Sequence, residues 1–138
     1  MKKFAYFSIL VLLLLPACAP AADTACESVN SFAIALRADG AEVEIAELIS
    51  QEFFSVPAQH LVVNGEDLQV LAYPSVEVAR QDAALVSADG YEIGTAMVTW
   101  IATPHFFQCD KLIVLYLGDN ADIFALLEGR LGPQFAGG

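Results

Sequence analysis

The sequence contains two histidines, His60 and His105, and each precedes an outer strand of a predicted hairpin. A zinc site would need further ligands at suitable spacing, and no cluster of Cys and His supplies them. We therefore predict that both are partly exposed histidines at strand ends. The alternative is a hydrolase or a metal-dependent enzyme that uses His60 or His105 with nearby carboxylates. That chemistry requires a histidine within hydrogen-bond reach of its partner in a cleft.

The other reactive residue types have simpler explanations. The hydroxyl side chains lack the sequence context of an activated nucleophile, and Ser75 is explained as a helix N-cap. Asp119, Asn120 and Asp122 gather oxygen ligands, but no calcium-loop pattern follows, so helix capping accounts for them better. No run of glycines forms a phosphate-binding fingerprint. The sequence therefore predicts no catalytic residue, no metal site and no cofactor.

The first 26 residues carry two of the three cysteines, Cys18 and Cys26. Two lysines precede an apolar run from Phe4 to Leu15, which is the pattern of an export signal. Pro16 ends this run well short of the roughly 20 apolar residues that span a bilayer. The segment is therefore predicted to direct export and to be removed.

The residues Leu15-Pro16-Ala17-Cys18 resemble the lipobox of bacterial lipoproteins, in which the cysteine is lipidated and becomes the new N-terminus. Pro16 departs from the usual residue at its position. The resemblance implies a lipoprotein signal peptide over residues 1–17 and a lipid anchor on Cys18. Ordinary cleavage after Ala21 is the alternative, and both interpretations place the protein outside the cytoplasm.

The remaining chain is predicted to be a short tether, residues 18–25, followed by a single domain, residues 26–138. Loss of Lys2 and Lys3 leaves four basic residues against 17 acidic ones, a net charge of −13. Such a field repels nucleic acid and anionic lipid head groups. We therefore predict no nucleic-acid partner, and a membrane contact made through the lipid anchor.

The domain keeps two cysteines, Cys26 and Cys109. Two thiols in an oxidising compartment indicate one disulfide, and two separately buried thiols are the alternative.

Local patterns predict three helices and two hairpins. The hairpin signals are Asn64-Gly65, which favours a type I′ turn, and residues 108–110 between two apolar runs. The helix signals are a capping box from Thr24 to Glu27 and N-caps at Ser75 and at Asp119 or Asn120. Further strands are predicted at residues 41–45 and 95–102, and residues 46–58 are ambiguous.

These elements define an α+β fold with an antiparallel sheet and about three helices packed on one face. Residues 112–117 are apolar at every position, so their strand is predicted to be central and covered on both sides. Phe53 and Phe54 are the nearest candidates to cover the second face. Similar Ala-Asp-Gly turns after two helices suggest two α-β-β-β repeats plus a final helix, with coincidence as the alternative.

Aromatic side chains offer the remaining functional signal. Trp100, Phe106 and Phe107 form a candidate binding surface for an unknown protein or a small apolar ligand, if they share an exposed face of the sheet. Filling the core is the simpler explanation of such residues.

Several segments resemble a group of small, uncharacterised bacterial lipoproteins. They are FFSVPAQHLVVNGEDLQVLAY, GTAMVTWIATPHFF, KLIVLYLGDN and LLEGRLGPQFAGG. The resemblance implies an exported, one-domain build and transfers no activity. The sequence thus favours a membrane-anchored, non-enzymatic binding or interaction module of the cell envelope.

Overall fold

The computed structural model describes residues 24–138. The predicted signal peptide, Cys18 and the tether up to residue 23 lie outside the described residues. Thr24 and Ala25 belong to the fold and not to a tether, because they form a 3-10 turn and Ala25 is buried.

The described chain contains three helices and two antiparallel sheets, which confirms the predicted α+β class. The helices are α1 (Val29–Ala38), α2 (Val76–Ala83) and α3 (Ala121–Leu131). The strands are β1 (Val43–Ile49), β2 (Ala58–Val63), β3 (Glu66–Ala72), β4 (Glu92–Ile93), β5 (Ala96–Met97), β6 (Pro104–Cys109), β7 (Leu112–Leu117) and β8 (Ala136–Gly137). Strands β4 and β5 form a two-stranded sheet, and the other six strands form one sheet.

The large sheet has the order β1-β2-β3-β7-β6-β8, and every pair in it is antiparallel. Both predicted hairpins are confirmed. Asn64 and Gly65 connect β2 to β3 with φ values of 50° and 83°, as a type I′ turn requires. Asp110, with φ 46°, turns β6 into β7. The two hairpins join at the centre of the sheet, where Val70 on β3 faces Val114 on β7.

Strand β7 is buried on both faces, as its apolar run predicted. Leu112, Val114 and Tyr116 contact the core beneath α1 and α3. Ile113 and Leu115 belong to a second core beneath α2. We refer to these two sides as the α1/α3 face and the α2 face.

The expectation that all helices pack on one face is wrong, because α2 lies on the opposite side from α1 and α3. Ala79 and Ala83 bring α2 against the second core, where Phe54 and the half-buried Phe53 also pack. The loop of residues 50–57 therefore helps to cover this face, as the sequence indicated. Helix α2 has 8 residues, whereas α1 and α3 on the opposite face have 10 and 11.

Two predicted elements begin or end elsewhere. Helix α1 starts at Val29, where Ser28 is the N-cap and exchanges backbone-to-side-chain hydrogen bonds with Ser31. The predicted cap at Thr24 fails because the 3-10 turn carries Cys26 into the core first. The predicted strand at 95–102 shrinks to β5, because β8 already occupies the edge of β6.

The two halves of the chain do not fold as equal repeats. Helices α1 and α2 lie on opposite faces, and the second half places β4 and β5 in a separate sheet. His60 and His105 are therefore not equivalent positions.

Cys26 and Cys109 lie together at the turn between β6 and β7, with their sulfur atoms at disulfide-bonding distance and their Cα atoms 5.6 Å apart. This geometry fits a disulfide without backbone movement. The bond would join the first described turn to the end of a central hairpin, 83 residues later in the chain.

We predict that peptide mapping of the non-reduced protein yields Cys26 and Cys109 in one linked pair. Reduction should lower the free energy of unfolding by about 4 kcal/mol, because the bond closes a long loop in the unfolded chain. The measurement is urea unfolding with and without reductant. Two freely alkylatable thiols in protein isolated without reductant would contradict this pairing.

Candidate functional site

A groove of about 320 Å³ opens on the α2 face, over the part of the sheet that α2 does not reach. Its apolar lining residues come from two strands, β1 and β7, and one loop: Ile49, Ile101, Leu115 and Leu117. Its polar rim includes His60, Asp67 and Gln69 from the β2–β3 hairpin. We call this feature the hairpin groove.

The groove arises from a change of side-chain type along one face of the hairpin. Alternate residues of a strand point to the same face, so His60 shares the α2 face with buried Ala58, and Gln69 shares it with buried Leu71. The face is thus apolar near α2 and becomes polar towards the Asn64 turn. Cover by α2 and its neighbouring loops stops where the polar side chains begin.

His60 is held between two carboxylates. Its Nε2 lies 2.8 Å from Asp67 Oδ1, and its Nδ1 lies 3.8 Å from Glu47 Oε1. The Nδ1 atom is buried and has no hydrogen-bond partner. The imidazole is about one-fifth exposed, whereas both carboxylates are more than three-quarters exposed. His60 lies in the middle of β2, which runs from Ala58 to Val63, so the predicted position at a strand end is wrong.

Three further hydrogen bonds position the rim. Gln51, in the loop after β1, donates its amide to Gln69 Oε1 and so ties that loop to the hairpin. Glu66 accepts a hydrogen bond from the Tyr116 hydroxyl at 3.1 Å and one from Asn120 Nδ2 at 3.3 Å. The turn end of the groove is thereby fixed to the N-terminus of α3.

Tyr116 has a raised pKa, and its burial is the main cause. The backbone N–H of Asn120 opposes this shift, whereas the hydrogen bond to Glu66 and its negative charge act in the same direction as burial. The hydroxyl therefore stays protonated at neutral pH and remains the donor to Glu66.

His105 lies on the α1/α3 face, so the sheet separates it from His60. Its ring stacks on Tyr116 with centroids 6.0 Å apart and meets the edge of Phe124 at 5.1 Å. Its Nδ1 lies 2.6 Å from Gln134 Oε1. The side chain is buried, which corrects the prediction of a partly exposed strand-end histidine. The two histidines do not converge on one site.

The predicted aromatic surface does not form. Phe106 and Phe107 are both fully buried, on opposite faces of β6, in the two separate cores. Trp100 is partly buried, donates its indole N–H to the Gly90 carbonyl at 2.8 Å, and packs against Phe106. Only its neighbour Ile101, which is 95% exposed, reaches the groove.

The lining residues of the groove were missed because their proximity comes from strand pairing between distant segments. One local signal existed. On β3, Asp67 and Gln69 share a face with Leu71. A strand face that is covered by other elements would not ordinarily carry two polar side chains in succession.

Across residues 24–138, no helix is long and apolar enough to cross a membrane, and no group of three or more His, Cys, Asp and Glu side chains could hold a metal ion. Comparisons with protein families, curated proteins and solved structures found no match to this chain. The resemblance to small bacterial lipoproteins stays a prediction.

The burial of Phe107 leads to a test of the corrected aromatic assignment. Phe107→Ala should lower the free energy of unfolding by about 3–5 kcal/mol, because it removes a large side chain from a packed core. Ile101→Ala should change it by less than about 0.5 kcal/mol, since that side chain is exposed. Urea unfolding of both variants measures the difference. Equal stability of the two variants would show that Phe107 does not lie in the core.

Proposed function

We propose that this protein is an exported, lipid-anchored binding module whose hairpin groove takes a small ligand with an apolar part. The observation that carries the proposal is the apolar floor of the groove, where Ile101 is exposed and Ile49 and Leu117 are half-buried, on a face that is elsewhere covered. Its volume lies near the lower end of the ~300–1,000 Å³ common for ligand sites, which fits a ligand of modest size.

The geometry around His60 favours binding over catalysis. A general base must present a nitrogen to the reacting group, but Nε2 is bonded to Asp67 and Nδ1 is buried beside Glu47. Among residues 24–138, those that line the groove include no Ser, Thr, Cys or Lys to act as a nucleophile. A hydrolase at this site would therefore have to use water as its nucleophile, and neither ring nitrogen of His60 is available to activate it, because one is hydrogen-bonded and the other is buried.

The proposed anchor at Cys18 is compatible with an accessible groove. Cys26 enters the fold on the α1/α3 face, beside the turn that joins β6 to β7. The groove lies on the other face and extends to Leu117, at the far end of β7. Five residues of strand separate Leu117 from the turn end of β7, which is roughly 17 Å at ~3.4 Å per residue. A short tether on the Cys26 side would thus leave the groove facing away from the membrane.

We expect metabolic labelling with a fatty acid to mark the wild-type protein and to miss Cys18→Ser. The lipobox cysteine is the attachment point that the resemblance implies. The measurement is label incorporation after expression in a bacterial host, with equal protein amounts compared. Equal labelling of both proteins would contradict the anchor and leave ordinary secretion.

The groove itself is tested with octanol, a small ligand with an apolar chain. Binding should change the fluorescence of Trp100, the only tryptophan, because it precedes Ile101 at the groove. Ile101→Ala should weaken binding about five- to tenfold through lost apolar contact, where 1.4 kcal/mol corresponds to tenfold.

The matched control is Met97→Ala, which truncates another highly exposed apolar side chain that is not part of the groove lining. It should bind octanol like the wild type. Equal losses in both variants would indicate non-specific adsorption, and the proposed site would be wrong.

A further inference from the structure

The rim of the hairpin groove is negatively charged. Asp67 and Glu47 flank His60 on its two sides, and Glu66 lies at the turn end of the lining. No Lys or Arg occurs among the residues that line the groove within the part of the chain that the structure describes. The carboxylate of Asp67, which lines the groove, is more than three-quarters exposed, and so is that of Glu47, which lies beside His60 and outside the lining.

From this combination we infer that the ligand is a small amphipathic amine, whose apolar chain lies on the groove floor and whose ammonium group meets the rim carboxylates. This inference rests on the proposed function and adds the charge of the ligand to it. An ammonium group complements this rim, whereas an anionic head group would face the like charge of Asp67 and Glu66, which both line the groove.

The hydrogen-bonding character of the rim agrees with a donor-bearing ligand. Ionised carboxylates only accept hydrogen bonds, and an ammonium group has three donors and no acceptor. Asp67 uses one oxygen for His60 Nε2, which leaves its other oxygen for a ligand. The groove is too small for a folded partner, so a free small molecule suits it better than a protein surface.

The test compares three ligands with the same chain, namely octylammonium, octanol and octyl sulfate, each titrated into the mature protein below its micelle concentration. Trp100 fluorescence and calorimetry report affinity. Octylammonium should bind at least tenfold more tightly than octanol, and octyl sulfate more weakly than octanol. Added salt should reduce the preference for octylammonium, because exposed charges are screened.

Two variants distinguish the effect of the charge on the groove rim from the effect of the net negative charge of the protein. Asp67→Asn should reduce the preference for octylammonium over octanol about three- to tenfold. Glu77→Gln removes one charge from the exposed side of α2, away from the groove lining, and should leave the preference unchanged.

The outcomes distinguish this inference from the function on which it rests. Binding of octanol with no preference for octylammonium overturns the inference and leaves the groove as an apolar site. Equal effects of Asp67→Asn and Glu77→Gln also overturn it, since the preference would then come from net charge. If none of the three ligands binds, the proposed function fails and the inference fails with it.

Discussion

The structure depends on strand β7, whose side chains are apolar on both faces and which therefore needs cover on both sides. Helices α1 and α3 cover one side and are joined by the ion pair between Asp39 and Arg130. The other side is covered by α2, which has only eight residues, and by loops that carry Phe54 and Trp100. This unequal cover leaves part of one face open, and the hairpin groove is that open part.

Buried polar contacts hold the thinner cover in place. Asp82 on α2 is buried and accepts hydrogen bonds from the backbone N–H and the hydroxyl of Ser55, at 2.7 and 2.8 Å. These bonds fasten the loop after β1 to α2. They also give hydrogen-bond partners to a buried carboxylate, whose burial without partners would cost free energy.

The free edge of β1 is protected against pairing with another strand. A register shift interrupts the strand, Arg37 binds the Val43 carbonyl at 2.6 Å, and Glu44 and Glu47 add charge. These features discourage another strand from adding there.

Local signals in the sequence were sufficient for much of the fold. Asn64-Gly65, the Ser75 cap and the apolar run of β7 each depend on neighbours in the chain, and each matches the structure. The face on which α2 packs, the shortening of the strand at 95–102 and the burial of Phe106 depend on which distant strands pair. The groove shares this dependence, since it brings Ile49, Ile101 and Leu117 together from three separate segments. Sequence periodicity fixes which side chains share a face of one strand, but not which other elements cover that face.

We propose that the uncovered part of the α2 face is the ligand site. Methyl-labelled NMR spectra of the protein, recorded while octylammonium is added, locate the bound ligand. We expect saturable shifts of the methyl groups of Ile49, Ile101, Leu115 and Leu117. We expect no shift for Ile34, which is 64% exposed on α1 and lies outside the groove lining. Shifts centred on Ile34, or none at the four groove residues, would contradict this proposal.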